Sequence, residues 1–301
     1  MKLVISASPH IDSGATTRKI MGDVLIALCP ALIAAVIIFG WRALLVTAVC
    51  AAACVFFEWG FEKLCHKPST IDDLSAVVTG VILAYNLPVS IPLWQAVFGC
   101  LVAIVAVKQL FGGIGKNFAN PALVGRIVLF LSFSKTMTAW VFPDAVSSAT
   151  PLAQLAAGQK PELWTLLLGN HGGCIGETCA LALLLGGAYL LLSGVITWQT
   201  PVCFVGTVFV LSLILGQDAM RQILSGGLLL GAFFMATDYV TAPQTCWGRA
   251  LFGIGAGLLT CLIRFYGSYA EGVSFAILFM NILTPYLSKW TKSKPLGGVP
   301  A

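Results

Sequence analysis

At 301 residues, 58% hydrophobic and only 10% charged with a formal net charge of +5, the chain lacks the solvent-facing side chains of a soluble domain, in which roughly 25% are charged. Its apolar residues are grouped in blocks of about 17–25, the length at which a helix crosses a bilayer. The composition excludes a soluble enzyme or a nucleic-acid-binding module and specifies an all-α, polytopic protein of the lipid bilayer.

The N-terminal stretch "MKLVISASPHIDSGATTRK" has no continuous apolar core followed by a small-residue cleavage site, so no cleavable signal peptide is expected. Ten spans follow in chain order: 22–40, 42–62, 74–88, 91–111, 121–134, 177–197, 199–216, 223–237, 248–266 and 271–288, of which the third, fifth and eighth are short. The longest polar stretch, 135–176, separates a first half at about 20–134 from a second at about 177–288. It holds one apolar patch, "LWTLLLG". With an even number of spans both termini share a side. Lys2, Arg18, Lys19, Lys63, Lys67, Lys108, Lys116, Arg249, Lys289, Lys292 and Lys294 then outnumber Arg42, Lys135, Lys160, Arg221 and Arg264 across the membrane, with Arg126 inside a span. This bias makes the termini cytoplasmic and the 135–176 loop extracytoplasmic. Trp41, Trp59, Trp94, Trp198 and Trp290 fall at span ends, as in an interfacial aromatic belt.

The two halves echo each other. The third span ends in "LAYNLPVSIP" and the eighth in "MATDYVTAP", each breaking at Ala, then Asn86 or Asp238, then Pro. Five helices per half give the halves opposite orientation, and matched interrupted helices point to an inverted repeat with a site at its interface. Two ordinary Pro-terminated helix ends would look the same. The ten cysteines show no C-x-x-C and lie mostly in apolar segments, where Cys packs as a small hydrophobe. No metal site is expected from them, nor from His10, His66 and His171, which are isolated.

One polar stretch carries a pattern. In "PDAVSSATPL" the residues Asp144, Ser147, Ala149 and Thr150 form D-x-x-S-x-A-T. Threonine is a poor nucleophile unless activated, but a hydroxyl beside a small residue can be presented to a modifying enzyme, with Asp144 helping to position a metal or phosphate donor there. Pro151 is expected to keep the segment extended and accessible. A plain loop of turn-forming residues is the alternative. The look-alike "DSGATT" does not fit: six residues before Thr16 stands His10, not Asp, and Ser13 or Thr16 reads as a helix N-cap.

The pattern D-x-x-[ST]-x-A-[ST] resembles the acceptor of flavin transferases, which attach FMN through its phosphate to the last Thr or Ser. With "SPHIDSGATTRKIMGDVLIALCPALIA", "GGIGKNFANPALVGR", "IGETCALALLLGG", "FFMATDYVTAP" and "EGVSFAILFMN" in order, the chain resembles, over nearly its whole length, the D subunit of the Rnf ion-translocating electron-transport complex. One departure is Ser148, where that family commonly has Gly before the final Ala-Thr. The resemblance implies covalent FMN at Thr150, with Asp144, Ser147 and Ala149 as the transfer motif. It implies a fold shared with ammonium and urea channels, and a bacterial inner-membrane location. The implied partners are the other Rnf subunits and a maturing flavin transferase. The activity implied is electron relay between ferredoxin and NAD coupled to Na⁺ or H⁺ movement, by a subunit not catalytic alone.

A second, non-covalent flavin (riboflavin or FMN) is what the wider family suggests. The loop 112–126, with Gly113, Asn117 and Asn120, would border it, although tight helix packing is the plainer account of its glycines. Asp23, Asp238 and Glu177, with Arg126 and Glu271, are ionisable groups in or near the membrane and mark either an ion path or structural pairing. Glu58 and Glu62 are expected to face water or Lys63. Two rival readings remain: a relative of the B subunit of the sodium-pumping NADH:quinone reductase, which is usually longer at its N-terminus, and a channel-like transporter without a redox role.

Overall fold

The computed structural model describes residues 16–140, 149–267 and 272–292. Among them every regular element is a helix. That outcome follows from the solvent: in lipid, backbone polar groups must be satisfied within the segment, which helices do. Each of the ten expected apolar segments carries one. The first half contains α1 (Thr17–Phe39), α2 (Trp41–Leu64), α3 (Ser75–Tyr85), α4 (Leu93–Leu101, continued by a π-helical stretch Val102–Gln109) and α5 (Pro121–Ser132). Short helices α6 (Ser134–Met137), α7 (Pro151–Ala156) and α8 (Leu163–Leu168) lie in the connection. The second half contains α9 (Ala180–Leu192), α10 (Gln199–Ile214), α11 (Ala219–Leu224), α12 (Leu228–Leu230, continued by a π-turn Gly231–Met235), α13 (Cys246–Tyr266) and α14 (Val273–Trp290).

Three helices, α1, α2 and α13, are long and apolar enough to cross a membrane by length and composition. By contrast α3, at 11 residues, spans roughly 16 Å against a hydrocarbon core of about 30 Å. The chain reverses at its end, because Pro88 follows Asn86 and cannot continue the helix. The third and eighth segments are thus half-length, and they stop against each other: Asn86 Nδ2 donates to Met235 Sδ at 3.4 Å and to the Ile82 carbonyl at 2.7 Å.

Lipid offers no hydrophobic drive for helix association, so close packing through small residues has to supply it. α1 packs on α9 and α5 on α14, joining the halves, while α10 packs on α13 and α2 on α3 and α4 within them. Gly186 shows how tightly: a β-carbon there would lie 2.1 Å from the Ala27 carbonyl oxygen of α1. Outward-facing side chains are apolar and exposed, among them Ile37, Leu192 and Ile214. Trp41, Trp59, Trp94, Trp198 and Trp290 are all exposed too, as a lipid-interface belt requires.

Candidate functional site

Thr150 has extended backbone and caps α7. Its Oγ1 accepts from Ala153 N–H at 3.2 Å, and Pro151 occupies the first helical position, where a missing N–H costs nothing. Pro151 therefore starts a helix, and Thr150 is only 9% exposed. Thr150 itself has extended backbone, but it is not the accessible residue that was expected; residues 144–148 of that segment lie outside the described residues. Ala149, just before it, is exposed and its carbonyl accepts from Gln154 Nε2 at 3.1 Å. Asp144 and Ser147 lie outside the described residues, as do Ser13 and Glu271. Thr16 is the N-cap of α1, accepting from Lys19 N–H at 3.3 Å, which matches its structural reading.

Beside α7 lies a cleft of about 330 Å³ lined by Leu152, Leu155, Ala156, Gln217, Gln222, Arg264, Phe265 and Gly267. The Arg264 guanidinium is fixed there, donating to the carbonyls of Gln222 at 2.7 Å, Ser225 at 2.8 Å and Gly226 at 3.2 Å. Gly226 holds φ +68° and carries Leu152 Cδ1 and Arg264 Nη2 against its Cα, which closes α7 onto the start of α12. Cleft and Thr150 are two residues apart along α7.

A second cavity lies between the halves. It is lined by Ser75, Thr79 and Lys108 of the first half, by Asn117 and Asn120 of the intervening loop, and by Phe233, Asp238 and Tyr239 of the second. Asn120 caps α5, accepting from Ala122 N–H at 3.0 Å, and its Nδ2 donates to the Met235 carbonyl at 3.4 Å. That carbonyl lies at the end of the π-turn. The Asp238 carboxylate accepts from Thr241 Oγ1 at 3.0 Å and from Val240 N–H at 3.4 Å. The Asn117 amide oxygen is shut from solvent without a hydrogen-bond partner.

The fold thus brings Asn117, Asn120 and Asp238 to one cavity and leaves Gly113, Asp23 and Glu177 off its wall. Gly112, Gly113 and Gly115 have φ of +112°, +90° and +88°, with nothing packed against Gly113 and Gly115. Backbone conformation, rather than helix packing, is what requires glycine at those two positions. Asp23 accepts from the Tyr189 hydroxyl at 3.2 Å across the α1–α9 contact. Glu177 is buried and accepts from Cys174 N–H at 2.9 Å. Arg126 donates to Ser274 Oγ and to Cys174 Sγ, linking α5, α14 and the loop before α9. That loop docks on the open end of α3, where Ile175 and Gly176 N–H donate to the Leu87 and Tyr85 carbonyls at 3.0 and 2.9 Å.

Sequence reasoning missed one cluster. Glu58 and Glu62 do not face water: they are 0% and 3% exposed. Glu58 pairs with Lys108 of α4 at 2.6 Å, while Lys63 turns away to lie 4.9 Å over the Trp59 ring. Lys108, which by sequence falls among the loop cations, is 2% exposed. Gln109 Nε2 donates to the same Glu58 oxygen at 2.8 Å, and Lys108 Nζ also donates to Ser75 Oγ at 2.6 Å. The signal that could have found them is that Glu58 and Lys108, of opposite charge, both fall inside expected spans, where ionisable groups are costly unless paired.

Comparison with known proteins agrees with this architecture. The model of the NQR2, RnfD, RnfE family matches residues 4–297. The D subunit of a Na⁺-translocating ferredoxin:NAD⁺ oxidoreductase complex from Acetobacterium woodii is 47% identical over 99% of this chain and 96% of its own. The D subunit of a proton-translocating ferredoxin:NAD⁺ oxidoreductase complex from Clostridium ljungdahlii is 41% identical over 97% of this chain and 96% of its own. The D subunit of an ion-translocating oxidoreductase complex from Actinobacillus succinogenes is 34% identical over 97% of both. A match that runs from one end of the helical bundle to the other, through both halves and the loop between them, makes this multi-pass membrane chain a member of the NQR2, RnfD, RnfE family.

Proposed function

We propose that the chain is the D subunit of an Rnf complex, a membrane electron carrier that bears FMN covalently on Thr150 and works with the other subunits of a ferredoxin:NAD⁺ oxidoreductase. What carries the reading is Thr150 closing a D-x-x-S-x-A-T stretch in a chain whose full-length relatives are D subunits of such complexes. The residues beside Thr150 fit the group. Leu152, Leu155 and Phe265 offer an apolar wall for a ring, and Gln217, Gln222 and Arg264 offer hydrogen bonds and positive charge. A bound flavin supplies one- and two-electron transfer, and the chain supplies attachment, orientation and electrostatics. Because Thr150 is nearly buried, the transferase acts on this segment before α7 docks, or with α7 lifted.

The central cavity suits a second, non-covalent flavin by its chemistry: the orphaned Asn117 oxygen, the Ser75 and Thr79 hydroxyls, Lys108, and the rings of Phe233 and Tyr239. As the side chains stand it encloses about 90 Å³, room for a few waters at roughly 10–15 Å³ each on that measure. A ring system therefore enters only as Met21, Phe233 or Tyr239 turns aside. Asp23, Asp238 and Glu177 remain candidates for an ion path. Relatives whose names specify Na⁺ and protons match this chain comparably, so overall similarity does not select the ion.

Ten membrane segments in two inverted five-helix halves, as in ammonium and urea channels, are part of the same reading. So are cytoplasmic termini in the bacterial inner membrane and a Thr150 loop on the outside. The pairing of α1 with α9 and α5 with α14, and the meeting of half-helix ends at Asn86 and Met235, support the repeat. The test is in-gel flavin fluorescence of the denatured chain, co-expressed with a flavin transferase. Fluorescence is expected in wild type and Thr150→Ser, and absent in Thr150→Val. A dark wild-type band beside an active transferase would favour the channel-like alternative.

A further inference from the structure

The Glu58–Lys108 cluster has features that a structural clamp does not need. A buried ion pair is a weak source of stability, because desolvation offsets its Coulomb energy. Here two carboxyl groups, Glu58 and Glu62, stand one helical turn apart on α2 with a single buried ammonium. The other charged groups at the cluster are Asp73, which accepts from Ser75 N–H at 2.8 Å, and Lys67, whose Nζ donates to the Gln109 carbonyl at 3.4 Å.

Thr70 links the two carboxylates. Its Oγ1 is within hydrogen-bonding range of Glu62 Oε1 and 3.3 Å from Glu58 Oε1. A hydroxyl can donate one hydrogen while accepting another, so Thr70 stands where it can relay a proton between the two carboxyl groups. Glu58 Oε2, meanwhile, is buried without a partner, a place where a proton can rest. At the other end, Lys108 Nζ bridges Glu58 and Ser75 while lining the cavity that holds Asn117, Asn120 and Asp238.

We propose that Glu58, Lys108, Glu62 and Thr70 form a proton-uptake site that compensates negative charge arriving in the central cavity. The inference rests on the reading of that cavity as the seat of a redox group, a reduced flavin being the source of the charge. Negative charge there draws the Lys108 ammonium, on its flexible four-carbon stem, away from Glu58. Deprived of its counter-ion, Glu58 takes a proton at its carboxylate, relayed from water: Glu62, 3% exposed, accepts the proton and passes it to the Thr70 hydroxyl, which accepts it as it gives up its own to Glu58. One proton enters for each negative charge that arrives, no bond other than O–H bonds is made or broken, and Lys108 stays protonated throughout. The site lies toward the end of α2 away from Arg42, which stands at that helix's start and donates to the Val89 carbonyl; Glu58 and Glu62 are roughly 24 and 30 Å along the helix from it.

The experiment uses the purified whole complex in weakly buffered solution with a pH-indicating dye, reduced electrochemically inside an infrared cell. Wild type is expected to take up about one proton per electron delivered to this chain and to show a protonated-carboxyl band that shifts in D₂O. Glu58→Gln, which keeps shape and hydrogen bonding, should lose the band and most of the uptake. Thr70→Val should slow uptake several-fold without changing its extent, and Thr70→Ser should restore the rate. If Glu58→Gln does not assemble, Glu62→Gln reads the same route from its rim. Uptake and band unchanged in these variants, or a wild type that is reduced without taking up protons, overturns the proposal. Acid-extractable flavin, counted on the same samples, judges the cavity reading separately: none released would refute a non-covalent flavin, while the uptake site would still stand or fall on Glu58→Gln.

Discussion

The two ends of the bundle carry their chemistry in opposite ways. At the Thr150 end the informative groups are contiguous in the chain, in a nearly buried helix cap beside a cleft whose one cation, Arg264, is held by backbone carbonyls. At the opposite end they come from α2, from the loop at Thr70, from the start of α3 and from the end of α4, and they are charged, buried and bonded mainly to one another. The difference teaches where each kind of site hides. A modification site of the kind proposed at Thr150 is read as a linear stretch by another enzyme, so it is visible as a motif. A charge cluster in a membrane is assembled by packing, and its members look ordinary in sequence when taken singly.

Variants that strike each end sharpen the contrast. The largest stability effect belongs to Lys108→Met, which leaves Glu58 buried and uncompensated. A loss of about 3–5 kcal/mol is expected, measured as the denaturation midpoint of the chain in detergent, and Lys108→Met combined with Glu58→Leu should recover most of it. An equal loss in the single and double variants would show the pair to be energetically idle. Next comes Gly186→Ala at the α1–α9 crossing, where the added β-carbon meets the Ala27 carbonyl. About 1–3 kcal/mol is expected. A wild-type midpoint would mean that the two helices can move apart freely.

The smallest effect concerns His171, buried in the loop before α9 with Nδ1 3.2 Å from the Gly172 carbonyl. Burial pushes its imidazole below the ordinary value of 6.5, against smaller opposing contributions from the backbone of Gly172 and Thr178. The unfolded chain therefore binds this proton more readily than the folded one. No stability is lost well above pH 6.5; the loss begins as pH falls through that value and levels off below the lowered folded value. His171→Gln should flatten that part of the profile relative to wild type, read as the difference between their midpoints across pH. Parallel profiles would remove His171 as the cause.

Much of the architecture was legible from the residues. Apolar blocks of spanning length specify helices because lipid leaves the backbone no other partner, and Thr16 marks a helix start that the structure places where expected. The breaks after Tyr85 and before Asp238 were legible as interruptions, since Pro and polar residues stop helices locally. The accessibility of Thr150 was misread for a long-range reason: whether the start of "TPLAQLA" is covered depends on Leu152 meeting Gly226 and on Arg264 closing the cleft.

What the sequence determined by itself is therefore local and solvent-driven: membrane class, helical segments, caps, and the linear D-x-x-S-x-A-T pattern that ends at Thr150. Only tertiary structure decided which charges are buried together. Glu58 and Lys108 are 50 positions apart in the chain and meet because α2 packs on α4, and once enclosed they must pair, since an isolated charge in that environment would cost too much to keep.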